Sequence, residues 1–123
     1  MNNNDEKEQQ RAADTLLRLA RHKEICGYLT DTYERKNEDY GNSFGEMFSE
    51  LGIISAVTRI GDKYNRIKNL AVRPTCRVKD ETIIDTLLDM ANYCIMTVIE
   101  IEKQKHSEII ICADGKQITR RRN

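Results

Sequence analysis

The chain has 123 residues and a formal net charge of zero, with 39% hydrophobic and 33% charged side chains. That length suits one domain with one modest core. The balance suits a soluble helical protein and excludes the broad basic footprint that duplex nucleic acid demands. No apolar leader core opens the sequence, and no run approaches membrane-spanning length. The four cysteines, Cys26, Cys76, Cys94 and Cys112, form no CxxC pair and have no histidine at zinc spacing. They read as reduced thiols in a cytoplasm, with Cys26 and Cys94 at core-like helical positions.

Taken in chain order, residues 1 to 5 are polar and are expected to be disordered. From Glu6 to about Arg35 the apolar residues Leu16, Leu17, Ala20, Ile25, Cys26, Leu29 and Tyr33 recur at helical steps. The stretch "KNEDYGNSF" that follows reads as a loop rich in polar groups. Ser43 and Glu46 then fit a capping box, opening a short helix that ends at Gly52, a residue suited to positive φ. A third helix spans Ile53 to Leu70, with Ile53, Val57, Ile60, Tyr64 and Ile67 as its apolar stripe. "AVRPTCRVKD" is a linker, because Pro74 cannot continue a helix.

Asp80 caps the fourth helix, about Glu81 to Lys105, with Ile84, Leu87, Leu88, Ala91, Cys94, Ile95 and Val98 as its apolar face. Beyond it, two short β-prone runs flank Asp114-Gly115, a hairpin signal that competes with a helix pairing with a partner chain. Arg120-Arg121-Arg122 reads as a solvated tail. The expected architecture is all-α: a bundle of about four helices, with long first and last members, and a C-terminal β-hairpin or extended tail. A single helical domain over residues 6–107 and a tail over 108–123 complete it.

Three groups of residues are candidates for chemistry. Glu81, Asp85, Asp89 and Asn92 share one narrow stripe of the fourth helix, within roughly 80° of one another. Stacked carboxylates repel unless a cation compensates, and hard oxygen donors suit Mg²⁺. Asp85 and Asp89, with Glu50 from the short helix, are therefore the candidate metal ligands, and the two aspartates the candidate catalytic pair. Acids at a helix start are also favoured by the dipole alone, which accounts for most of Glu81.

On the third helix, Arg59, Lys63 and Arg66 form a cationic stripe suited to phosphate oxygens. Asp62 lies in the same sector and is placed to orient an arginine or bind metal. A plain salt-bridge network to Asp85 or Asp89 explains the same spacing. In the polar stretch, Lys36 and Asn37 offer donors, Asp39 an acceptor and Tyr40 a ring for stacking, ahead of a helix N-terminus where anions are welcome.

"KNEDYGNSF", "RIGDKYNRIKNL" and "DETIIDTLLDMANY" together resemble, in order and spacing, the first of the nucleotide-modification-associated domain families, small proteins common in bacteriophages. The resemblance covers about Lys36 to Ile99. It implies a place in nucleotide metabolism or DNA-base modification, in the host cytoplasm if the chain is phage-encoded. More loosely, the arrangement is similar to MazG-like all-α nucleotide pyrophosphohydrolases, which hold Mg²⁺ between acidic pairs of neighbouring helices and dimerise. There the pairs read ExxE and ExxD, whereas Glu46/Glu50 and Asp85/Asp89 here stand four residues apart.

Three readings follow: an Mg²⁺-dependent nucleotide hydrolase, a non-catalytic nucleotide-binding module, or a helical oligomeric scaffold. The first two share a nucleotide held by Lys36, Asn37, Asp39, Tyr40, Arg59, Lys63, Arg66 and Asn92. A homo-oligomer, dimer or higher, is expected, and no membrane partner.

Overall fold

The computed structural model describes residues 2–73 and 77–114, with side chains described for 2–73 and 79–106. It contains four helices: α1 (Asn3–Tyr40), α2 (Ser43–Leu51), α3 (Ile53–Ala71) and α4 (Arg77–Asp114). Among the described residues there is no strand, and the all-α expectation holds. The chain parts between Gly41 and Asn42 into two units, the first being α1 and the second holding α2 to α4.

α1 departs from expectation at both ends. It begins at Asn3, inside the stretch expected to be disordered, because the Asn2 side chain accepts from the amides of Asn4 and Asp5 at 2.6 and 3.2 Å. It also runs through the expected loop, so Lys36, Asn37, Asp39 and Tyr40 are helical. Polar residues such as asparagine and aspartate cost a helix only about 0.7 kcal/mol each relative to alanine, too little to stop one already propagating. Gly41 stops it: its φ of 68° and ψ of −160° lie where side-chain-bearing residues are strained, and its N–H donates to Asn37 O at 2.9 Å. Of the expected apolar stripe, Leu29 is buried while Leu16, Leu17 and Cys26 are exposed. His22 lies with Nδ1 3.6 Å from Cys26 Sγ.

In the second unit, the cap of α2 is Asn42 rather than Ser43, its Oδ1 accepting from the Gly45 amide at 3.2 Å. Asparagine caps at least as well as serine, and Ser43 is left as the first helical residue. Gly52 ends α2 and starts α3 at φ 71° and ψ −157°, a region open almost only to glycine. Gly52→Ala is therefore expected to lower stability by about 1–3 kcal/mol. Urea denaturation measures this, and a loss below about 0.5 kcal/mol would show that the corner adapts.

The core of this unit is Phe44, Phe48 and Ala56, with Tyr93, Met96 and Ile101 packed against it. α3 lies along α4, and α2 closes over both. Lys63 reaches Asp89, and Arg59, one turn earlier, reaches Tyr93, one turn later, so α3 and α4 run antiparallel. Ala56 is fully buried in this core.

The orientation of α4 reverses the sequence reading. Its inward side carries Thr86, Asp89, Tyr93, Thr97 and Glu100, of which Thr86, Thr97 and Glu100 are buried. Both threonine hydroxyls donate to the carbonyl four residues back, Thr82 O and Tyr93 O, each at 2.6 Å. The expected core face points out: Ile84 is 56% exposed, Leu87 49%, Ile95 48% and Val98 54%, and Cys94 is exposed too. By length and composition alone, Lys79–His106 is long and apolar enough to cross a membrane, where the sequence reading saw no such run. α4 also continues through Asp114, so the first run of the expected hairpin is helix. The hairpin's second run, Pro74, Cys76 and Arg120-Arg121-Arg122 lie outside the described residues, as does the side chain of Cys112.

Candidate functional site

The α3 sequence puts Arg59, Lys63 and Arg66 on a side of the helix flanking the apolar stripe. The antiparallel α4 brings Asp89 and Tyr93 opposite them. Arg59, Asp62, Lys63, Arg66 and Tyr93 line a solvent-open hollow of about 350 Å³. The cationic stripe read from the sequence is thus the wall of a real concavity, with Asp62 in the same wall.

Arg59 is the most constrained of these groups. It is half-buried, and its guanidinium carbon stands 5.9 Å from the centroid of the Phe44 ring and 5.9 Å from that of Tyr93. The two rings stack on each other at 5.9 Å, and Phe44 continues to Phe48 at 6.5 Å. Side chains from α2, α3 and α4 therefore converge on one cation. Each cation–π contact contributes about 0.5–1 kcal/mol near the surface, more where water is excluded. The larger effect is entropic, since a guanidinium held by two rings loses little freedom when an anion arrives.

Lys63 Nζ lies 3.3 Å from Asp89 Oδ2, with the two side chains 25% and 35% exposed. A pair so accessible is worth about 0–1 kcal/mol and exchanges readily for another partner. Arg66 and Asp62 are exposed at the rim. Among the residues lining the hollow, Arg59, Lys63 and Arg66 stand against Asp62, which favours an anion.

The other expected site residues are placed differently. Asp85 and Glu50 are exposed, and Asn92 is half-buried on α4 beside Tyr93. Among the described residues, no group of three or more His, Cys, Asp or Glu side chains is gathered to hold a metal ion. Asp89 is engaged by Lys63. Lys36, Asn37, Asp39 and Tyr40 belong to the first unit, at the end of α1, and their side chains are exposed, Tyr40 at 77%. Tyr93 and Phe44 were missed by the sequence reading. A four-residue step onward from Asp89 reaches Tyr93, but the charged stripe had been continued through Asn92.

The family model described as nucleotide modification associated domain 1 matches residues 36–101. The chain belongs to this family. The matched span of the nucleotide modification associated domain takes in the end of α1, all of α2 and α3, and α4 as far as Ile101, so it includes every residue lining the hollow. No curated protein and no solved structure matches the chain, and the looser likeness to MazG-like enzymes receives no support from either comparison.

Proposed function

We propose that this protein binds a nucleotide by its phosphates in the hollow between α3 and α4, in the service of nucleotide metabolism or DNA-base modification. The observation that carries the reading is Arg59, held against the stacked rings of Phe44 and Tyr93 at the hollow's wall. Its fork donates to two phosphate oxygens, Lys63 and Arg66 add charge, and Tyr93 offers a ring edge or face to sugar or base. A hollow of about 350 Å³ lies within the range of small-molecule sites, about 300–1,000 Å³. The family description, which names nucleotide modification, points the same way.

Binding is preferred to metal-dependent hydrolysis because Asp89 meets Lys63 rather than a neighbouring carboxylate. An Mg²⁺ ion in this reading arrives with the nucleotide, and no chemical step is assigned to it.

The test is a melting screen of the full chain against deoxynucleoside mono-, di- and triphosphates and inorganic phosphate, each with and without Mg²⁺. Stabilisation should grow with phosphate number and fade with salt. A flat response to every nucleotide removes the proposal. Asp89→Asn separates the two readings further. It should change stability by less than about 1 kcal/mol and tighten nucleotide binding several-fold, because it frees Lys63 and removes a charge that repels phosphate. If instead binding weakens and loses its response to Mg²⁺, Asp89 is a metal ligand and the hydrolase reading takes its place.

A further inference from the structure

On α1, His22 and Cys26 stand four residues apart, so one helical turn sets their side chains next to each other. The helix thus supplies what the cysteine spacing alone did not show, a nitrogen donor beside a sulfur. His22 Nδ1 lies 3.6 Å from Cys26 Sγ, and both residues are exposed. Among the described residues, no other hydrogen bond or ion pair holds either side chain. The adjacent cation, Arg21, is already paired with Glu24 at 2.9 Å.

We propose that His22 and Cys26 form a two-ligand site for a borderline-soft divalent cation such as Zn²⁺. A tetrahedral Zn²⁺ ion holds nitrogen at about 2.0 Å and sulfur at about 2.3 Å, which puts the two donors about 3.5 Å apart. The pair already stands at 3.6 Å, so little rearrangement is needed when an ion arrives. On binding, Cys26 gives up its thiol proton to solvent. Its sulfur and His22 Nδ1 then each donate a lone pair, the neutral ring keeps its proton on Nε2, and waters complete the tetrahedron.

The donor pair sets the class of ion. Thiolate and imidazole suit Zn²⁺ and Co²⁺, whereas Mg²⁺ and Ca²⁺ take oxygen ligands. Structural zinc sites use four protein ligands; two leave half the sphere to water, so binding here is reversible. It also fades in acid, which protonates imidazole and thiol. The bridge clips the turn next to Gly27, the residue of lowest helix propensity within α1. Cys94 provides the contrast. It too is exposed, but its neighbours at three- and four-residue steps are Met90, Ala91, Thr97 and Val98, among which there is no imidazole, thiol or carboxylate.

Iodoacetamide labelling of the reduced full chain, mapped by mass spectrometry with no nucleotide present, tests the site. Zn²⁺ at micromolar concentration should slow labelling of Cys26 by about tenfold, because the bound sulfur is no longer available, and leave Cys94 unchanged. Mg²⁺ should protect neither. Co²⁺ should give the near-ultraviolet charge-transfer absorption of a metal thiolate. Losing even an outer-shell partner of a metal site costs about 10–100-fold in affinity, so His22→Ala should weaken Zn²⁺ binding by at least about tenfold. His106→Ala should leave it unchanged. Equal protection of Cys94, an undiminished Zn²⁺ response in His22→Ala, or protection of Cys26 only at millimolar Zn²⁺ overturns the proposal. So does a Cys26 indifferent to Zn²⁺ whose labelling slows in His22→Ala, which would mark the pair as a base and its nucleophile.

Discussion

Arg59→Ala is expected to weaken nucleotide binding by about 100-fold or more, the largest loss of any single change in the hollow. A hydrogen bond to a charged group contributes about 1.5–3 kcal/mol, and a guanidinium fork makes two in parallel. At about 1.4 kcal/mol per factor of ten, losing the pair accounts for that ratio. The rings that hold Arg59 make the loss larger than at Arg66, which is exposed and must be ordered by the ligand. Arg66→Ala should therefore cost about tenfold or less. Arg59→Lys keeps the charge but loses the fork and most of the ring contact, so it should recover only part of the affinity. Stability should fall modestly, by about 1–2 kcal/mol for two cation–π contacts. Titration calorimetry at low salt, with the best nucleotide from the melting screen, gives the comparison. Wild-type affinity in Arg59→Ala would place the phosphates somewhere other than this hollow.

Part of this arrangement was legible in the sequence. The two glycines that break the chain, Gly41 and Gly52, mark helix ends because little else tolerates their positive φ. Arg59, Lys63 and Arg66 announce a cationic helix side by spacing alone, and their wall is found where that spacing puts it. The stretch from Lys36 to Tyr40 misled because its composition resembles a loop, whereas helix propagation tolerates polar residues until a glycine intervenes.

The orientation of α4 misled for a deeper reason. Apolar periodicity identifies which side of a helix avoids water, but not which neighbour covers it. Within one chain, the approach of α3 follows the small core of Phe44, Phe48 and Ala56, against which α4 packs Tyr93, Met96 and Ile101. That side of α4 also sets Tyr93 and Asp89 opposite Arg59 and Lys63. Tyr93 stayed hidden because it belongs to that polar side yet looks like an ordinary apolar residue in a pattern search.

Phe48→Ala is expected to cost the second unit about 3–5 kcal/mol, the range for deleting a buried aromatic side chain. Phe48 is 2% exposed and sits at the centre of a small cluster formed with Phe44 and Ala56. Domains of this size hold only about 5–15 kcal/mol in total, so the variant should be near its unfolding threshold at physiological temperature. Phe48→Leu, which refills most of the volume, should recover more than half of the loss. Urea denaturation at fixed protein concentration measures both, with concentration held constant because dimerisation would add to apparent stability. Binding separates Phe48 from its neighbour. Phe44 carries the ring under Arg59, so Phe44→Ala should lose stability and affinity together. Phe48 stacks on Phe44 but does not line the hollow, so the folded fraction of Phe48→Ala should bind nucleotide within a few-fold of wild type in the cold. A loss below about 1 kcal/mol in Phe48→Ala would mean that this aromatic cluster is not what holds α2 against α3 and α4. The ring placement that fixes Arg59 would then need another cause.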